Sequence, residues 1–167
     1  IFQFAVVDTV RDQVKLLAEY ELPGISNVKD LTGAIESLPE SSGLFRYSFN
    51  KVRISYDTFS YTFIPEELYA GEDEPAYAGF LQAEPADKLL KYHIRQADIK
   101  NIAFIDQRLY QALSGIFHKP EIYNQASPFI EGIKAAAGQD KSPAMFIDFR
   151  KDYIQIAVLD QLQLSFY

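Results

Sequence analysis

The chain has 167 residues, 48% of them apolar, with 16 Lys+Arg against 23 Asp+Glu and a formal net charge of −7. That is enough apolar material for a globular core, while eight Gly and eight Pro exclude collagen-like and low-complexity classes. The absence of Cys excludes disulfides, thiolate metal sites and cysteine nucleophiles. The acidic balance makes nucleic acid and anionic membranes poor partners, because binding to either depends on neutralising phosphates.

The elements follow in chain order. Phe2, Phe4 and Val6 alternate with Gln3, Ala5 and Val7, and Val14, Leu16, Ala18 and Tyr20 alternate with Lys15, Leu17, Glu19 and Glu21 after a polar turn at 8–12, which predicts an antiparallel hairpin. Ser26 or Asn27 caps a helix carrying Val28, Leu31, Ile35 and Leu38, and Pro39 is expected to stop it. Residues 45–63 are rich in aromatic and β-branched side chains and predict two or three further antiparallel strands. Pro75 to Ala83 predicts a short helix, Leu89 to Arg95 a strand and Ile99 to Ile105 a buried strand. Asp106 caps a helix bearing Leu109, Leu113 and Ile116; a second helix opens at Ser127-Pro128 and closes at Gly138. Ala144 to Phe149, Tyr153 to Leu159 and Leu162 to Tyr167 read as three closing strands. Hairpins, then strands alternating with helices, then hairpins again indicate an α/β chain with a mixed sheet and crossover helices.

The charge is uneven. No Lys or Arg occurs between Arg53 and Lys88, where Asp57, Glu66, Glu67, Glu72, Asp73, Glu74, Glu84 and Asp87 stand. The densest part, Glu66, Glu67, Glu72, Asp73 and Glu74, is read first as a solvated surface and second as a docking face for a protein partner. It lacks the spaced acidic pattern of a calcium loop.

An internal echo links the two ends. With Asp8 laid on Asp148, an offset of 140, Val6 meets Phe146, Val7 meets Ile147, Arg11 meets Lys151, Asp12 meets Asp152, Val14 meets Ile154 and Leu16 meets Ile156. The reading is a first subdomain over 1–140 and the opening three strands of a second over 141–167, whose remainder is expected to lie beyond the chain. The apolar side chains of 144–167 exceed what three strands can bury by themselves. They are expected to be covered by further residues, by a second copy or by the first sheet.

An apolar strand ending in Asp, a tight turn, a second strand, then strands and crossover helices before the same opening again resembles the actin-like ATPase architecture, a duplicated ribonuclease-H-like fold. Phe63-Ile64-Pro65 leading into a short helix, the strand 102–105 before a capped helix, and the closing Leu162 to Tyr167 are similar to a family of uncharacterised Bacteroidetes proteins with this fold. The resemblance implies an Asp-x-Gly turn in each hairpin, with backbone amides on phosphates and the Asp acting through magnesium. Asp8 and Asp148 match the aspartates, but Val10 and Arg150 stand where glycine would let the backbone approach an anion. Both aspartates are therefore read first as turn residues bonding their own loop amides, and only second as contacts to nucleotide or metal.

Other chemistry is weaker. His93, on a strand face with Lys91 and Arg95, is read as solvated or ion-paired, and His118 as a residue at a helix C-terminus. Neither has zinc-ligand spacing, Ser114-Gly115 is no nucleophile elbow, and no Walker or dinucleotide glycine motif occurs. Phe and Tyr, 13 and 11 of them, concentrate around 47–63 and are read first as sheet packing and second as a protein-binding face. The preferred function is a non-enzymatic actin-like module that binds a protein or self-associates through 144–167, without cofactor. The alternatives are an ATPase or kinase using ATP and magnesium and, lower, a ribonuclease-H-like nuclease, which the charge disfavours. No membrane span is expected and a cytoplasmic location is.

Overall fold

The computed structural model describes residues 2–41, 43–71 and 74–167. The chain divides into two compact units, one made of 1–50 and 108–118, the other of 51–107 and 119–167.

In the first unit, β1 (Phe2–Asp8) and β2 (Gln13–Tyr20) form the expected antiparallel hairpin. Alternation places Phe4 against Tyr20, stacked at 5.5 Å, and Phe45 bridges Phe4 and Phe117 at 6.1 and 5.6 Å. The following helix, α1 (Val28–Ser41), starts where the sequence puts its cap, because the Asp30 amide donates to Asn27 Oδ1 at 3.0 Å. Its periodicity buries Ile35 and Leu38. The helix does not stop at Pro39. Pro39 stands in the last turn, where its missing N–H costs one i→i−4 bond near the helix end, and α1 continues to Ser41. Beyond it, 43–46 forms a short 3-10 turn rather than part of a strand.

In the second unit the expected set of antiparallel strands from 45 to 63 is corrected. β3 (Arg53–Tyr56) runs parallel to β7 (Glu121–Asn124), whereas β4 (Tyr61–Pro65) pairs antiparallel with β6 (Ile99–Ile105). The partners differ because Thr58 is tied to Gln125, which turns the chain away from a hairpin between β3 and β4. Strand β7 is absent from the sequence reading: four residues after Pro120 carry too little alternation to stand out. β5 (Lys88–Ile94) completes a three-stranded ladder with β6 at its centre, and Ile94, Ile102, Ala103 and Ile105 are buried there. α2 (Glu74–Phe80) forms as expected, and so does α3 (Gln107–Ile116), which from Arg108 onward belongs to the first unit and buries Leu109, Ala112 and Leu113.

After β7, α4 (Ala126–Ala137) ends at Gly138, whose φ of 60° and ψ of −116° suit a residue without Cβ. β8 (Ala144–Phe149), β9 (Ile154–Asp160) and β10 (Gln163–Phe166) form a three-stranded antiparallel sheet with β9 central. One face packs Ala157 and Leu159 with Ile133, flanked by Phe129, Ala137, Phe146, Leu164 and Tyr167. The other leaves Met145 64%, Ile147 45%, Phe149 76%, Ile154 53% and Phe166 58% exposed. Parallel and antiparallel pairing both occur, but among the described residues they are divided over four separate sheets, none of which is itself mixed.

Candidate functional site: the aspartate turns and an aromatic groove

The two echoed aspartates both fall near the end of the first strand of an antiparallel hairpin. Their registers differ. Val6 pairs with Leu16, but Phe146 pairs with Ala157 rather than Ile156, and only the first hairpin is bulged, between Val6 and Val7.

The carboxylates are also occupied differently. Asp8 Oδ1 accepts the amides of Val10 and Arg11, both at 3.1 Å, in an Asx turn that the sequence reading anticipates. Asp148 Oδ2 instead accepts from side chains, Arg150 Nε at 2.7 Å and Gln155 Nε2 at 2.9 Å. The residue standing at the glycine position therefore supplies the counter-charge itself. Gln155 is buried, and its Oε1 accepts the Tyr167 hydroxyl at 2.5 Å, so Asp148 is linked through Gln155 to an aromatic cluster.

That cluster lines a groove of about 260 Å³ whose walls include Phe59, Tyr61, Tyr153, Phe166 and Tyr167. Phe59 meets Tyr153 edge-on at 5.0 Å, and the Tyr153 hydroxyl donates to Asp57 Oδ2 at 2.6 Å. Burial, then the bond to Asp57, pushes the Tyr153 phenol well above its ordinary range. Burial does the same to Tyr167 and raises Tyr61, so all three phenols are neutral at neutral pH. No sequence signal joins Phe59 to residues nearly a hundred positions later.

Beneath the groove, Asn101 Nδ2 donates to Asn124 Oδ1 and Ser127 Oγ, both at 3.0 Å, while Asn124 Nδ2 donates to the Thr58 carbonyl at 3.0 Å. Gln125 and Thr58 exchange a reciprocal pair of bonds at 3.0 and 3.1 Å. This buried network fixes the loop that carries Phe59. Sequence reading missed it, because single Asn and Ser residues in apolar surroundings have no pattern.

The acidic run is broken up by pairing. Glu66 Oε1 lies 2.9 Å from Lys100 Nζ, and its Oε2 lies 3.6 Å from His93 Nε2. Glu74 receives Lys91 at 2.6 Å, whereas Glu67 is exposed; Glu72 and Asp73 lie outside the described residues. His93 thus has carboxylate neighbours, Glu66 and Asp98, that the pairing of β4 and β5 on either side of β6 delivers and local spacing hides. His118 is exposed. Among the described residues, no group of three His, Asp or Glu is placed to hold a metal ion, and no helix is long and apolar enough to cross a membrane.

Structural similarity gives the chain an actin-like ATPase fold. It is similar to a crystal structure from Bacteroides thetaiotaomicron VPI-5482, a protein with actin-like ATPase fold and unknown function, with a TM-score of 0.81 and 23% identity. The match covers 98% of this chain and 63% of that one, so the chain spans less than two thirds of the length of its structural relative. The chain belongs to the DUF3822 family, described as a protein of unknown function, which it matches over residues 1–167. No curated protein matches it.

Proposed function

We propose that this chain is a non-enzymatic actin-like module that binds a protein chain. The observation that carries the reading is the state of the two aspartate turns: the amides of Val10 and Arg11 are spent on Asp8, and Arg150 neutralises Asp148. Neither turn offers a free cradle for phosphate, and the residues present do not fit magnesium nucleotide. The repeat reading, with a first subdomain over 1–140 and the opening strands of a second over 141–167, belongs to the same proposal. Its support is an aspartate near the end of the first strand of each hairpin.

The surface that suits binding is the open face of β8–β10. Covering Met145, Ile147, Phe149, Ile154 and Phe166 with a second copy would remove on the order of 1,000 Å² from the two chains together, the size at which specific interfaces begin. Calorimetric titration of ATP with magnesium tests the first part, with no binding heat expected at millimolar nucleotide. Low-micromolar affinity abolished by Asp8→Ala would replace this reading with that of a nucleotide-binding ATPase or kinase.

A further inference from the structure

The groove that ends in Phe59 and Tyr153 has walls of an unusual kind. Five of its lining residues are aromatic and none is Lys, Arg or His. Its two amide side chains are already committed: Gln155 joins Tyr167 to Asp148, and Gln125 holds Thr58. What remains for a ligand is ring surface beside the aliphatic Ile154 and Ile156, with Phe59 72% and Phe166 58% exposed. Ring faces carry the negative part of the aromatic quadrupole and attract cations.

Charge complementarity selects the same ligand. Asp57 is exposed and accepts the Tyr153 hydroxyl at 2.6 Å, so a carboxylate stands beside the groove's rings. The neighbouring cation, Arg150, is tied to Asp148 at 2.7 Å. A cavity of about 260 Å³ is smaller than the roughly 300–1,000 Å³ usual for drug-sized ligands, and suits one side chain. Among cationic side chains, the guanidinium is planar, weakly hydrated and able to stack on rings, whereas an ammonium is compact and strongly hydrated.

We propose that the groove is a cation–π site that receives an arginine side chain presented by a partner protein. The proposal rests on the protein-binding reading and names the chemistry of the partner. A capped Gly-Arg-Gly peptide and its citrulline twin, which keeps shape and loses charge, are titrated into the 167-residue chain while tyrosine resonances are followed by NMR. The arginine peptide is expected to shift the groove tyrosines and to bind about tenfold more tightly than the citrulline peptide, with affinity falling as salt rises. Phe59→Leu, an exposed change that keeps an apolar wall, is expected to weaken arginine binding about fivefold. Equal binding of the two peptides, an unaffected Phe59→Leu variant, or no shift with either peptide would overturn the site. The last result leaves the protein-binding reading standing, since that is judged separately, by association through the open face of β8–β10.

Discussion

Asn124 holds more of this structure than any single titratable group. Its amide joins the Thr58 carbonyl, Gln125, Asn101 and the Ala126 N–H at the start of α4. Asn124→Ala would leave the buried Ala126 N–H without its acceptor, at about 1–3 kcal/mol, and would remove the bonds to Asn101, Gln125 and the Thr58 carbonyl, the last of which keeps Gln125 Nε2. We expect a loss of about 2–4 kcal/mol in urea unfolding, larger than for an exposed residue such as Phe149. Tyr92 offers a test against pH. Burial and then its 2.8 Å bond to Glu131 push the phenol from 10.0 up to about 12. A raised value means the neutral form is favoured in the fold, so its contribution is fully present below pH 10.0 and is lost as pH rises through about 12. Tyr92→Phe should remove one late-ionising tyrosine from an ultraviolet titration and flatten the alkaline fall in stability.

At the scale of elements, α1 begins with three interlocked bonds. Asn27 Oδ1 accepts the Asp30 amide at 3.0 Å, and Asp30 Oδ2 accepts from the Ser26 amide and hydroxyl at 3.0 and 2.6 Å. Asn27→Ala should cost about 1 kcal/mol. The Ser26 bonds hold the Asp30 carboxyl below its usual range, so this cap stabilises above the ordinary carboxylate pKa and weakens as pH falls through the lower folded value. Gly138 closes α4 with nothing within 4 Å of the place a Cβ would take. Gly138→Ala therefore meets no clash, and the about 1–3 kcal/mol expected in thermal unfolding is backbone strain alone.

For the whole molecule the decisive feature is a sheet covered on one face. α4 lies over Ala157 and Leu159, while Ile147 and Phe149 stand in solvent on the opposite side. Sedimentation of the chain is expected to show concentration-dependent association that Ile147→Lys abolishes while leaving the unfolding midpoint nearly unchanged. A strict monomer at high concentration would remove the second copy as occupant. Asp8→Ala and Asp148→Ala should leave that association as it is, since neither carboxylate lies on the open face.

Periodicity and punctuation carried most of the elements. Alternation wrote β1, β2, β5, β8 and β9 into local sequence, because a strand sends successive side chains to opposite faces; Asn27 and Gly138 marked helix ends, because unpaired amides and a left-handed backbone need particular residues. The aspartates of the two hairpins were equally legible, and so was the fold they imply. Pairing partners were not. That β3 lies beside β7 and not β4, that β7 exists at all, and that Phe59 meets Tyr153 depend on Thr58, Asn101, Asn124 and Gln125 finding one another across the chain. Hydrogen bonds between residues far apart leave no period in the sequence, and a groove exists only once its walls have been brought together. The residue types alone determined the alternation, the caps and the acidic balance; tertiary structure alone decided which carboxylates were neutralised and which aromatic rings were left open.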